Sequence, residues 1–230
     1  MPYICRMRAQ DSEAATGDLR DRLRDVYWIG GAPGGGKSTI ARRLAHRYGL
    51  HLYVTDDKMA EHARCSTAAT APYLERFKAM DMDERWVNRS PEAMLETFHW
   101  FRGEGFPLIV EDLLRLPAGA GIIAEGFRLL PQLVMPLLDN PDHAVWLLPT
   151  PDFRQAALES RGGTWEIANR TSDPERARHN LADRDRRFTD RLTAETKRLE
   201  CRTLQMTAGT SEDKVFAQVA QIFGLPEVAE

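Results

Sequence analysis

The sequence is poor in cysteine, lacks long apolar runs and carries no excess charge of one sign. Its three cysteines, Cys5, Cys65 and Cys201, are odd in number and far apart. They form neither a disulfide framework nor a zinc cluster, and they suit a reducing compartment. No apolar stretch approaches the roughly 18–20 residues needed to span a bilayer, and the N-terminal MPYICRMRAQDSEAATGD has no apolar signal core. A cytoplasmic protein without membrane contact is expected. The 31 basic and 34 acidic side chains, net −3, argue against binding nucleic acid through bulk phosphate attraction. No Gly-x-Ser-x-Gly element is present, and no His/Cys/Asp group has zinc spacing. What is present is ordinary globular composition: 230 residues, 43% hydrophobic, enough for one domain with an insertion.

Hydrophobic patterning alternates between strands and helices. Asp18–Arg24 fits a short helix behind a polar leader. Val26–Ile29 reads as a buried strand, followed by a glycine loop and a helix carrying Ile40, Leu44 and Tyr48 on one face. Leu50–Val54 predicts a second strand, ending in Thr55-Asp56-Asp57. Residues 58–105 contain no convincing strand and are expected to form a helical insertion. Leu108–Val110 and Gly121–Ala124 are the next strand candidates. Then come a strand at Ala144–Leu148, a helix at about 151–161, a polar and mobile 162–180, a helix at about 180–200, a strand at Thr203–Met206 and a helix at Ser211–Phe223. Such alternation predicts an α/β fold: a parallel sheet between helical layers.

The strongest motif is Gly31, Ala32, Pro33, Gly34, Gly35, Gly36, Lys37 and Ser38, followed by Thr39, which matches G-x-x-x-x-G-K-[ST] between a strand and a helix. Glycines let backbone N–H groups approach a polyphosphate, and the helix N-terminus adds its positive dipole. Lys37 would reach the β- and γ-phosphates and Ser38 would ligate Mg²⁺. In open parallel sheets ligands bind beyond the carboxyl ends of the strands, where Asp56 and Asp57 stand. Asp57 is read as a general base and Asp56 as part of the Mg²⁺ shell, although adjacency leaves the two roles unseparated, and either could cap a helix. Glu125, ending the strand 121–124, is the expected second carboxylate on the metal side, with Glu111-Asp112 a weaker competitor.

Between Arg161 and Arg202 there are ten Arg and one Lys against eight acidic residues. On a helical wheel Leu181, Phe188, Leu192 and Leu199 form an apolar stripe, flanked by Arg184, Arg187, Arg191 and Arg198. That pattern fits a lid helix offering guanidinium forks to phosphate, or a surface helix with pairs such as Asp183–Arg187. Arg128 could meet an anionic acceptor or sit in solvent. His62 and His99 have no evident orienting partner and read as packing or surface residues. Trp86, Phe98, Trp100 and Phe101 fit either an acceptor pocket or helix packing.

With these residues in place the chain resembles the P-loop small-molecule kinases of the nucleoside/nucleotide-kinase type, in particular the chloramphenicol phosphotransferase, shikimate kinase and zeta-toxin-like group. Gly31–Thr39, Asp56-Asp57, Ile122–Gly126 and the arginine-rich segment carry the resemblance, over about two thirds of the chain. It implies a three-layer kinase fold over residues 1–230, an acceptor-binding insertion at 58–105 and a lid at 161–200. It further implies ATP·Mg²⁺ on Lys37 and Ser38, Asp57 deprotonating an acceptor hydroxyl, Arg184, Arg187 and Arg191 closing on the γ-phosphate, and Arg161 stacking on adenine. The adjacent Asp-Asp departs from the Asp-x-Asp of shikimate kinase, and the guanine-reading element of GTPases is absent. The implied activity is phosphoryl transfer from ATP to a hydroxyl of a small molecule, by a monomer or homodimer. A nucleotide-hydrolysing switch and a toxin-like kinase of sugar nucleotides are the alternatives.

Overall fold

The computed structural model describes residues 17–117, 119, 121–160 and 166–226. Five strands, β1 (Val26–Gly31), β2 (His51–Val54), β3 (Ile122–Glu125), β4 (Ala144–Pro149) and β5 (Thr203–Met206), form one sheet in the order β2-β3-β1-β4-β5. Every neighbouring pair is parallel, with Ile29 opposite Glu125 and Gly31 opposite Leu147. The fold is therefore α/β. The central strands are apolar nearly throughout because both of their faces are covered, whereas the outer β2 and β5 alternate towards solvent.

Successive side chains of a strand point to opposite faces, and two separate cores result. Ile29, Ile123, Val145 and Leu147 face helix α2 (Lys37–Tyr48) and helix α11 (Glu212–Ile222), through Ile40, Leu44, Val215 and Val219. Trp28, Ala124 and Trp146 face the other way, onto α7 (Phe106–Arg115), α8 (Pro131–Val134) and α10 (Pro174–Arg198), through Ile109, Leu113, Val134 and Phe188. A short helix, α1, covers residues 17–23, and α9 (Pro151–Ser160) follows β4.

Between β2 and α7 the chain is helical, as expected: α3 (Met59–Cys65), α4 (Pro72–Ala79), α5 (Met82–Trp86), α6 (Pro91–Thr97) and a 3₁₀ turn at His99–Arg102. Local chemistry sets their ends. Asp81 and Glu84 form a reciprocal capping box on α5 (2.8 and 3.1 Å), and Ser90 caps α6. The α4 N-terminus has no cap of its own, and Glu104 supplies one by accepting from Tyr73 N and Leu74 N at 2.9 and 2.8 Å. Asn180 of α10 ties the insertion down by donating to the carbonyls of Trp86 and Val87, both at 3.1 Å.

Two expectations are corrected. Leu108–Val110 is not a strand but lies in α7, where Pro107 sits in the first turn and Phe106, Ile109 and Leu113 recur on one buried face. Glu111 and Asp112 are thus helix residues, not strand-end carboxylates. The long helix also begins at Pro174, capped by Asp173 (3.0 Å to Arg176 N), so the later part of 162–180 is regular structure. Among the described residues no helix is long and apolar enough to cross a membrane.

Candidate functional site

The chains leaving β1 and β3 depart in opposite directions, β1 towards β2 and β3 across to β4. A crevice opens at their carboxyl ends. The glycine loop fills one wall of it. Gly31, Gly34 and Gly36 have φ of 135°, 78° and 77°, a region that only glycine enters readily. A Cβ on Gly31 would stand 2.2 Å from the Leu147 carbonyl oxygen, so the loop turns against β4 with no room for a side chain. Gly36 offers α2 no side-chain cap, and the start of that helix stands at the crevice. Lys37 is buried, and its Nζ donates to the Ala32 carbonyl at 2.8 Å. Ala32 and Thr39 support the loop without reaching the cavity, whereas Pro33, Gly34, Gly35, Gly36, Lys37 and Ser38 line it.

Two carboxylates share this wall. Glu125 is buried and hydrogen-bonds the Ser38 hydroxyl. Loss of hydration raises its pKa despite the opposing pull of Lys37. Asp56, like Asp57, is exposed, but it lines the crevice, and desolvation raises its carboxyl too, against the attraction of Lys37 and the Thr55 hydroxyl. Asp57, the expected base, is exposed and does not line the cavity. Among the described residues no three His, Cys, Asp or Glu side chains make a metal site by themselves. The oxygen donors of Ser38, Glu125 and Asp56 suit a hard cation that takes the rest of its shell from phosphate and water.

The cavity, about 670 Å³, continues from this loop into the helical insertion, past Met59, Ala63 and Leu74 to the rings of Phe77, Trp86, Phe98 and Trp100. The aromatic residues at 86–101 therefore do both things the sequence left open. They pack on one another, Phe98 on Phe101 at 4.8 Å and Phe101 flat on Phe188 at 3.8 Å, and they line the cavity.

The arginines divide. Arg184 reaches the cavity, buried to 8% exposure and held by Asp185 at 2.7 Å. Of the three arginines expected in a lid, Arg187 and Arg191 do not line the cavity. Arg187 pairs with Asp183 at 2.9 Å on the outer face of α10, and Arg191 pairs with Glu96 of α6. Arg161 lies outside the described residues. Arg154, which the sequence reading missed, lies against the loop: its Cγ is 3.5 Å from where a Cβ on Gly34 would stand, and its guanidinium donates to Thr189 at 2.9 Å. Burial lowers its pKa. Its signal was available in outline, an arginine one turn into the helix that leaves a central strand.

Arg128 is neither solvated nor in the cavity. It is 2% exposed, lies 4.0 Å over Trp100 and donates to the carbonyls of Thr55 and Gly105 and to His62 Nδ1 (3.0 Å). A guanidinium only donates, so His62 Nδ1 accepts, and His62 Nε2–H donates to Asp112 at 2.9 Å. Tyr53 donates to the same oxygen at 2.8 Å. Burial alone would raise Asp112, but these two hydrogen bonds hold it below the usual range. His62 thus has the orienting partners that the sequence could not reveal, in a buried network that joins β2, α3 and α7 behind the cavity.

No protein-family model matches the sequence. Among solved structures the chain is similar to thymidylate kinase from Candida albicans, at 18% identity and a TM-score of 0.44, with 87% of this chain and 91% of that chain covered. The chemistry open to this chain therefore rests on its own side chains.

Proposed function

We propose that the protein is an ATP-dependent phosphotransferase that moves the γ-phosphoryl group to a hydroxyl of a small molecule held in the helical insertion. One observation carries this: a single cavity joins the glycine loop and Lys37 to a ring-lined compartment, with Asp56 in its wall. A binding module for nucleotide alone has no use for the second compartment. A hydrolytic switch needs only water there.

The loop N–H groups, the α2 dipole and Lys37 would bind the phosphates. Arg154 and Arg184 would neutralise charge that develops on transfer. Mg²⁺ accompanying the nucleotide would be held by Ser38, with Glu125 beyond it, and supplies neutralisation of phosphate oxygens when bound. We assign the general base to Asp56 rather than Asp57, because only Asp56 lines the cavity. Its carboxylate takes the acceptor's proton as the hydroxyl oxygen bonds to the γ-phosphorus, and the bond to the β,γ-bridging oxygen breaks to release ADP. A raised pKa makes that carboxylate a stronger base. Catalysis is otherwise positioning and exclusion of water.

The test is acceptor-stimulated ADP release with separate measurement of ATP binding. Lys37→Ala should weaken ATP binding, and Asp56→Asn should lower transfer by about 10²–10⁴-fold while leaving binding intact. Turnover that survives both changes refutes the proposal.

A further inference from the structure

The outer face of α2 is charged in a way that the other long helix is not. Residues 26–55 carry Lys37, Arg42, Arg43 and Arg47 and not one Asp or Glu, in a chain whose net charge is −3. On α10 the ordinary arrangement holds: Arg186, Arg187 and Arg198 each meet an acid three or four positions away. Helix α2 has no acid of its own to offer. Arg43 and Arg47 even stand four positions apart, where like charges repel along a helix. The helix dipole favours His46 and Arg47 in the last turn, but its influence fades before Arg42 and Arg43.

These residues face a groove. Between α2 and α11 lies an open cavity of about 510 Å³, lined by Arg42, Arg43, His46, Arg47 and Phe216. Among the described residues no acidic side chain lines it, and it shares no lining residue with the crevice at the glycine loop. Arg43 is already held in place. Its Nη2 donates to Asp213 of α11 at 2.6 Å, and its guanidinium lies 4.9 Å over the Phe216 ring, which stacks on Tyr48 at 6.3 Å. Asp213 offsets one positive charge, and Arg42 and Arg47, both exposed, bring two more.

The ligand suited to such a groove is small, multiply negative and rich in oxygen acceptors. The volume falls in the range of small-molecule sites, roughly 300–1,000 Å³. Guanidinium forks grip phosphate oxygens bidentately and keep their charge. With a single ring in the lining, the groove offers little to an apolar body.

We infer that this groove is an anion site separate from the crevice, which takes the phosphate chain of a small polyphosphate, either free or as the tail of a nucleotide. Arg42 and Arg47 bind the chain's oxygens, and Arg43, held by Asp213 through Nη2, presents its other N–H groups. The site stands whether or not the crevice transfers phosphate.

Sodium tripolyphosphate, ATP and adenosine are titrated separately, without Mg²⁺, into the ¹⁵N-labelled protein at about 0.15 M salt, and binding is followed amide by amide. Tripolyphosphate and ATP should give saturable changes at Arg42–Arg47 and Phe216, resolved from those at Gly31–Ser38, and adenosine should give none at the groove. Affinities of the two within about tenfold mean that the chain itself is recognised, and ATP binding more tightly than that assigns a nucleotide. Arg42→Gln combined with Arg47→Gln should weaken groove binding by about tenfold or more, while the changes at Gly31–Ser38 persist and report that the variant folds. Arg198→Gln, which removes a charge from α10 outside the groove, should leave groove binding within about twofold. Changes confined to Gly31–Ser38, or rising at the groove without saturation, overturn the inference. So does sodium sulfate that matches tripolyphosphate at equal ionic strength, adenosine that binds the groove as well as ATP, or a loss in Arg198→Gln equal to that in Arg42→Gln alone.

Discussion

Replacing His99 by phenylalanine should abolish a specific part of the protein's sensitivity to acid. His99 opens the 3₁₀ turn after α6, and its ring packs against Phe98, Phe77 and Trp100 with centroids 4.7, 4.9 and 4.4 Å apart. Burial, reinforced by the positive charges of Arg128, Lys78, Arg184 and Arg85, pushes its pKa down to about 3. The folded protein therefore keeps this imidazole neutral, whereas the unfolded chain protonates it near pH 6.5. Below that pH unfolding takes up a proton. The stabilisation is thus present above pH 6.5 and is lost as pH falls towards 3, at about 1.4 kcal/mol per pH unit. Between pH 7 and 5 the loss amounts to roughly 2 kcal/mol, a sizeable share of a typical stability of about 5–15 kcal/mol. His62, also lowered chiefly by burial, adds a loss of the same sign, but it is present in both proteins and cancels in their difference. His99→Phe keeps a ring in the aromatic cluster and removes the titration. Urea unfolding followed by tryptophan fluorescence at pH 7, 6 and 5 should show the parent losing about 2 kcal/mol more than the variant. Equal losses would mean that His99 titrates normally in the folded state and would refute its burial as a neutral group.

Other expectations concern the loop and the charges around it. Gly31→Ala should destabilise the protein by roughly 3 kcal/mol, seen as a fall in Tm, because overpacking against rigid backbone is added to an unfavourable φ. Its Cβ would meet the Leu147 carbonyl of β4 at 2.2 Å. Asp56→Asn should lower kcat by about 10²–10⁴-fold, while Asp57→Asn, outside the cavity, should change it by less than about tenfold. Arg154→Ala should weaken ATP binding by about 10–100-fold, as loss of a charged hydrogen bond to phosphate does. Arg187→Ala, whose partner Asp183 lies on the outer face of α10, should alter ATP affinity far less, which calorimetry on the two variants would compare directly.

Much of the fold was legible because it is written locally. Val26–Ile29 and Ala144–Leu148 are apolar runs of strand length, and Gly31–Ser38 between a strand and a helix carries its own conformational demand in its glycines. The error at Leu108–Val110 has a physical origin. Three apolar residues, two of them β-branched, suit a strand or one buried helical turn equally well, and only the register of Phe106, Ile109 and Leu113 against the sheet selects the helix. Glu125 was legible as a strand-end carboxylate for the same local reason.

The sequence by itself determined the parallel α/β architecture, the phosphate-type loop and the helical insertion. It could not say which of two adjacent aspartates turns into the crevice, because successive side chains after a strand end diverge and only the packed walls distinguish them. Nor could it say which arginines of α10 are consumed by acids, since Glu96 lies 95 positions from Arg191. Arg154 and Arg184 reach one cavity from separate helices, and His62 meets Asp112 and Arg128 across 50 and 66 positions. Such partnerships are set by how helices cross the sheet, and that is fixed only when apolar faces far apart in the chain are buried together.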